Sequence, residues 1–188
     1  MKYFTKSYIF LYLVVFVALF VLYKSVSLPY YGNIEVTISK QKGSIATVDT
    51  ARNITNKQVI NVKRIIFENS RALKHKHFGY LGFSENFFID AVVDMDVLKS
   101  AKYRFEVQSD DGFRLKIDDK TVCAHPGNRP FQKTECEVEL KKGLRAFHLE
   151  YFQGGGPLGL HVRYALKGEK LQDFGVDSKY IVFKEKNR

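Results

Sequence analysis

The chain contains no tryptophan, only two cysteines, and no acidic residue before Glu35. It also lacks the short catalytic signatures: no Gly-x-Ser-x-Gly, no His-Glu-x-x-His, and no phosphate-cradling glycine loop followed by lysine. Those absences leave an enzyme assignment without support. No internal repeat and no compositionally disordered stretch breaks the 188 residues, so one core of ordinary size is expected. What the chain has in quantity is aromatics. Sixteen Phe and eleven Tyr suit a β-rich core.

The net charge is +10, and Lys2, Lys6 and Lys24 supply three of those charges, leaving +7 on residues 25–188. A basic excess favours anionic partners such as lipid head groups or acidic polysaccharide. The plainer reading is a solvated basic surface, because the lysines are scattered. The local clusters are Lys74-His75-Lys76-His77 and Lys184-Glu185-Lys186-Asn187-Arg188. Neither resembles a nucleic-acid motif, so no nucleic-acid partner is expected.

Residues 1–28 read as a separate unit, a membrane anchor preceding a domain at 29–188. The run Tyr8–Tyr23 carries no charge, Gly or Pro. As a helix it covers about 24 Å, close to the hydrocarbon core when Ser7 and Ser25–Leu28 sit in the interface. Tyr8, Tyr12 and Tyr23 suit the membrane–water boundary. The alternative is a cleaved signal peptide with Ser25-Val26-Ser27 as the small-x-small site; against it, the apolar run is long and Lys24 interrupts the approach. The expectation is one transmembrane helix acting as a signal-anchor. The N-terminus stays in the cytoplasm, and the domain with both cysteines is exported to the periplasm or the extracellular side.

Within 29–188 the pattern is period two. Pro29–Asn33 reads as a linker. Strands are predicted at Ile34–Ile38, Ile45–Val48, Gln58–Phe67 and Phe87–Val97, the last with Asp90, Asp94 and Asp96 on its outer face. Residues 69–83 carry no clear pattern. Tyr103, Phe105 and Val107 alternate with Arg104, Glu106 and Gln108; after Ser109-Asp110-Asp111-Gly112, Phe113, Leu115 and Ile117 alternate with Arg114, Lys116 and Asp118. A hairpin at Asp118-Asp119-Lys120 and a loop at Pro126-Gly127-Asn128 follow. Further strands are predicted at Glu135–Leu140, Arg145–Phe152, Leu160–Tyr164 and Tyr180–Phe183, with a glycine-rich loop at Gln153–Pro157. Many short strands with regular turn signals mean an all-β antiparallel sandwich or barrel.

The cysteines Cys123 and Cys136 flank a loop, on strands that read as hairpin partners. A disulfide is expected; two buried thiols, or a zinc site with His125, are the alternatives. The histidines, including His148 and His161, read as polar-face residues. Asp110-Asp111-Gly112 reads, on residue types alone, as a tight turn.

The run YRFEVQSDDGFRLKID (103–118), the turn Lys141-Lys142-Gly143, and FHLEYFQGGGPLGLHVRY (147–164) together resemble the protective-antigen (PA-fourteen) domain family. The likeness is close over 87–166. It implies a β-sandwich serving as a carbohydrate-binding or adhesion module. Lectin-like members, in adhesins and flocculins, hold calcium with the adjacent aspartates, joined by a cis peptide, and bind sugar hydroxyls through the ion. Carried over by position, Asp110, Asp111, Gln153 and Gly155 are the metal-site residues, and Asp110, Asp111, Gly154 and Gly156 bind the ligand. Two departures stand out: Asp119 where the family commonly has Gly, and Gln153 where fungal members use Asn.

Calcium takes six to eight oxygens, and neighbouring carboxylates are useful first ligands. Two adjacent acids cannot bracket a scissile glycosidic bond; only Asp110 with a distant acid such as Glu150 offers an enzymatic option. Two functions from different classes result. One is a membrane-anchored, calcium-dependent glycan-binding module. The other is a structural or protein-interaction domain with an envelope protein partner and an architectural acidic turn.

Overall fold

A computed structural model describes residues 6–25 and 32–185. The chain forms two compact units, Met1–Tyr30 and Tyr31–Arg188. Lys2, the Ser25-Val26-Ser27 alternative, most of the Pro29–Asn33 linker and the last three residues of the basic tail lie outside the described residues.

In the first unit, Lys6–Ser25 forms one α-helix, α1. Its described side chains, at positions 11–21, are exposed, Phe16 and Tyr12 among them. Among the described residues no helix is long and apolar enough to cross a membrane, so they do not support the expected span.

The second unit is an antiparallel β-sandwich. Its strands are β1 (Ile34–Gln41), β2 (Ile54–Val62), β3 (Ile66–Ser70), β4 (Lys74–His75), β5 (Gly79–Tyr80), β6 (Phe87–Val97) and β7 (Ala101–Asp110). There follow β8 (Phe113–Ile117), β9 (Lys120–His125), β10 (Gln132–Leu140), β11 (Gly143–Gln153), β12 (Leu158–Leu166), β13 (Gln172–Asp173) and β14 (Ile181–Lys184). One sheet has seven strands in the order β2-β1-β6-β11-β8-β9, with β14 also pairing β6. The other has five, β10-β7-β12-β13, with β3 also pairing β12. Strands β4 and β5 make a small hairpin of their own.

The alternation seen in sequence is the alternation of burial. Tyr103, Phe105 and Val107 of β7, Phe113 and Leu115 of β8, and Leu149 and Tyr151 of β11 are sealed from solvent. Phe174 joins the two layers: its ring lies 4.0 Å from that of Phe147 in one sheet and 6.0 Å from that of Tyr164 in the other. Aromatic pairs at such separations add to the stabilisation from buried area alone. The hairpin at Asp118-Asp119 turns with both aspartates in the left-handed region, φ 49° and 61°, as a two-residue turn between twisted strands requires. Aspartate tolerates that conformation, so the departure at Asp119 leaves the hairpin intact.

Three expectations are corrected. Ile45–Val48 is not a strand; only Thr47 makes an isolated bridge, to Gly127. Ile45 and Val48 instead pack in a cluster with Phe88 and Phe152 without joining a sheet. Gln58–Phe67 is not one strand but parts of two: β2 pairs β1 in the larger sheet, while β3 pairs β12 in the smaller. The break at residues 63–65 is where the chain changes layers, which explains the imperfect alternation there. Finally, β9 and β10 are not hairpin partners. Strand β9 ends one sheet and β10 ends the other. The Cys123–Cys136 disulfide, with Cα atoms 5.7 Å apart, therefore joins the edges of two layers.

Candidate functional site

The acidic pair sits where the chain passes from the small sheet to the large one. Ser109 and Asp110 are the last residues of β7, Ser109 opposite Gln132 of β10 and Asp110 opposite Gly159 of β12. The chain then turns through Asp111 and Gly112 into β8. The Asp110–Asp111 peptide is cis. Gly112 fits where no other residue would: a Cβ there would lie 2.6 Å from the carbonyl oxygens of His125 and Gly127 and from the Phe152 ring.

Both carboxyls are buried, Asp110 at 7% and Asp111 at 6% exposure. Asp111 Oδ2 accepts the amide hydrogen of Gly154 at 2.9 Å, and Oδ1 accepts that of Arg129 at 3.3 Å. The Ser109 hydroxyl donates to the Asp111 carbonyl at 2.7 Å. Burial, reinforced by the neighbouring charge of Asp111, pushes the Asp110 carboxyl up to about 6; a hydrogen bond from the Phe131 backbone and the Arg129 charge pull the other way. Two buried carboxyls side by side, one of them held by backbone amides, offer oxygen atoms of the kind a hard cation takes.

The glycine-rich loop meets the pair at Gly154. Gly154 donates to Asp111 and accepts from the Asn86 amide at 3.1 Å. Gly156 takes φ 83°, a left-handed conformation open to glycine. Gln153 is wholly buried, and its amide nitrogen donates to the carbonyls of Gly155 and Pro157 at 3.0 and 2.9 Å. The Tyr151 hydroxyl lies between two acceptors, Gln153 Oε1 at 2.8 Å and the Asp110 carbonyl. Burial, with the charges of Asp111 and Asp110, holds that phenol well above its ordinary pKa, so it acts as a neutral donor. Gln153 consequently fixes the loop, and its side-chain oxygen faces Tyr151.

Sequence reasoning missed Arg129. Its guanidinium donates to Ser109 Oγ at 2.8 Å and to Thr134 Oγ1 at 2.7 Å, and stands 5.3 Å from the Phe113 ring centroid. Nothing periodic in Pro126–Pro130 marks it. Its role exists only because the loop folds across Gly112.

A second group, Asp90, His148 and Glu150, brings three ligand-type atoms together on the polar face of the seven-stranded sheet. Arg52 pairs with Asp90 at 2.5 Å, and Lys116 and Arg114 pair with Glu150 at 3.0 and 3.4 Å. Burial raises the Asp90 pKa, but the hydrogen bonds from His148 and Arg52 outweigh it, and the group sits below its usual range. Cations already balance this cluster. Glu150 is engaged by both Lys116 and Arg114 within this cluster.

Against known families, residues 84–179 match the PA14 domain. The chain belongs to the PA14 domain family. A search of curated proteins finds no match. Among solved structures, the chain is similar to a PA14 sugar-binding domain from an RTX adhesin, at 18% identity, TM-score 0.61, over 77% of this chain and 95% of that one. It is similar to the PA14 domain of the MpAFP antifreeze protein at 15% identity and TM-score 0.61, over 85% and 95% of the two chains. The Epithelial Adhesin 9 A domain from Candida glabrata, in complex with Galb1-3GlcNAc, matches at 11% identity and TM-score 0.58, over 82% and 89%. At these identities the likeness is one of fold. It identifies the PA14 sandwich on which Asp110, Asp111 and the Gln153–Gly156 loop are displayed.

Proposed function

We propose that this PA14 domain is a non-enzymatic, calcium-dependent glycan-binding module. One observation carries the reading: Asp110 and Asp111 are buried side by side at a loop-bearing end of the sandwich, and Gly154 of the glycine-rich loop closes on Asp111. Related support comes from the solved neighbours, one titled a sugar-binding domain and another solved with Galb1-3GlcNAc.

The donor set suits calcium. The carboxylates are hard oxygen ligands, and the two stand side by side in a buried site. Asp110 and Asp111 would hold the ion, with Gln153 and Gly155 shaping the loop beside it. Calcium bound there supplies coordination positions for neighbouring sugar hydroxyls. The chain's own contribution is to keep Asp111 oriented through Gly154 and Arg129, and to leave the Gly154 and Gly156 backbone free of side chains for a ligand to approach. Calorimetric titration of calcium, then a glycan array with calcium and with chelator, tests this. No heat and no thermal shift at millimolar calcium would sink it.

The same proposal includes tethering. The apolar run Tyr8–Tyr23 anchors the protein once, N-terminus in the cytoplasm, with the domain in the periplasm or outside the cell. Retention of the full chain in membranes after alkaline extraction is expected. Release of a soluble form beginning near Leu28 would refute it.

The second reading is an envelope protein-interaction domain. Arg129 favours it, since an internal guanidinium beside the acids can stabilise them as pure architecture. Binding of an envelope protein with no response to calcium or glycan would select it.

A further inference from the structure

Residues 69–84 contain no acidic side chain but carry Arg71, Lys74, Lys76, His75 and His77. This stretch forms the β4–β5 hairpin, with Lys74 opposite Tyr80 and His75 opposite Gly79. It is rooted from beneath. Leu73, Leu81, Phe83 and His75 are buried, and the His75 ring lies 5.8 Å from Phe67. Above that base, Arg71, Lys74 and Lys76 are exposed, with Phe78 at 38% and Tyr80 at 59% exposure. Among the described residues none of the three cations forms an ion pair.

The placement of the hairpin matters more than its composition. Ser70 pairs with Leu158, and the next residue, Gly159, pairs with Asp110. Two strand spacings, about 10 Å, separate Ser70 from the acidic pair. At the other exit, Asn86 donates its amide to the Gly154 carbonyl, at 3.1 Å. Both ends of the hairpin segment therefore land at the glycine-rich loop, one at Leu158 just after it and the other at Gly154 within it.

We propose that this hairpin is a second subsite for the same ligand, and that the ligand is an acidic polysaccharide. The inference rests on the glycan-binding reading. Sugar hydroxyls occupy the Asp110–Asp111 site, while carboxylate or sulfate groups a short way along the chain pair with Arg71, Lys74 and Lys76. The Phe78 and Tyr80 rings pack against the apolar faces of the sugar rings. A hairpin rich in lysine and arginine also offsets the repulsion an anionic chain would meet at two aspartates.

The test uses the full chain in nonionic detergent with calcium. The probes are short oligogalacturonates, too short to gel with calcium, and their carboxyl-reduced neutral counterparts. The acidic probes should bind roughly ten-fold more tightly, with a preference that shrinks as salt rises. Lys74→Glu/Lys76→Glu should abolish the preference while leaving the melting temperature and neutral-probe binding unchanged; Lys74→Gln/Lys76→Gln gives the same answer if charge reversal disturbs folding. Equal binding of both probes, or a preference that survives in these variants, overturns the inference and leaves the glycan-binding reading in place. Failure of both probes and the array to bind overturns the two together. Phosphatidylglycerol vesicles bound in preference to the acidic probes, and lost in the same variants, would assign the hairpin to a lipid surface and overturn the polysaccharide.

Discussion

Gly154 donates its amide hydrogen to Asp111 Oδ2 at 2.9 Å, across a sequence separation of 43 residues. That bond makes one site from two loops. It holds the second acid of the pair in place, so the carboxyl of Asp110 becomes the adjustable charge.

Asp110→Asn preserves shape and one carbonyl oxygen while removing that charge. The metal-free variant should melt at or slightly above the wild-type temperature, because burial and a like charge already disfavour the anion. Calcium affinity, read by calorimetry, should fall roughly ten-fold or more.

The stability of the metal-free protein should depend on pH in a defined direction. The folded Asp110 carboxyl holds its proton up to about 6, whereas an unfolded one loses it near 4. Between those values the folded state binds more protons at this group, so the contribution of Asp110 to stability is fullest below about pH 4 and is lost as pH rises through about 6. Urea midpoints across that window, in chelator, should show the decline for wild type and a flatter profile for Asp110→Asn. Added calcium should oppose the decline.

Gly112→Ala would drive a methyl group into the carbonyls of His125 and Gly127, which are backbone and cannot rotate aside. A loss of about 1–3 kcal/mol is expected, as for other overpacked positions. Chemical denaturation measures it, and wild-type stability in the variant would contradict the packing described.

Reducing the Cys123–Cys136 bond should cost about 3 kcal/mol on the chain-entropy account of a loop of this length. Denaturation with and without reductant reads that directly. Reduced protein should also expose β9 and β10 as two separate edges, detectable as faster amide exchange there.

The sequence displays most of this sandwich because half-buried strands carry their environment in every second residue. Phe113, Leu115 and Ile117 could be assigned a face before any partner was known. The failures share one cause. Ile45 and Val48 are apolar residues after a turn signal, as in a short strand, yet their burial comes from a loop packed against Phe88 and Phe152. Cys136 sits on an apolar face as expected, but membership of a sheet is a long-range property, so its strand was paired with the wrong neighbour. Asp110 and Asp111 were visible as a pair, and family likeness supplied the loop. Arg129 and Phe174 were invisible: neither lies in a periodic segment, and each acquires its function from contacts made across the fold.

The order of strands has a mechanical consequence. Strand β1 begins at Ile34, beside Val62, and runs to Gln41, whose amide bonds the carbonyl of Asn86 next to Gly154. The chain thus enters the domain at the end remote from Asp111. A domain restrained at Ile34 and pulled by a ligand at Asp111 is loaded along its strands. The ladder bonds of β1 to β2 and β6 run across that direction, so many must shear at once, where a perpendicular pull would open them singly.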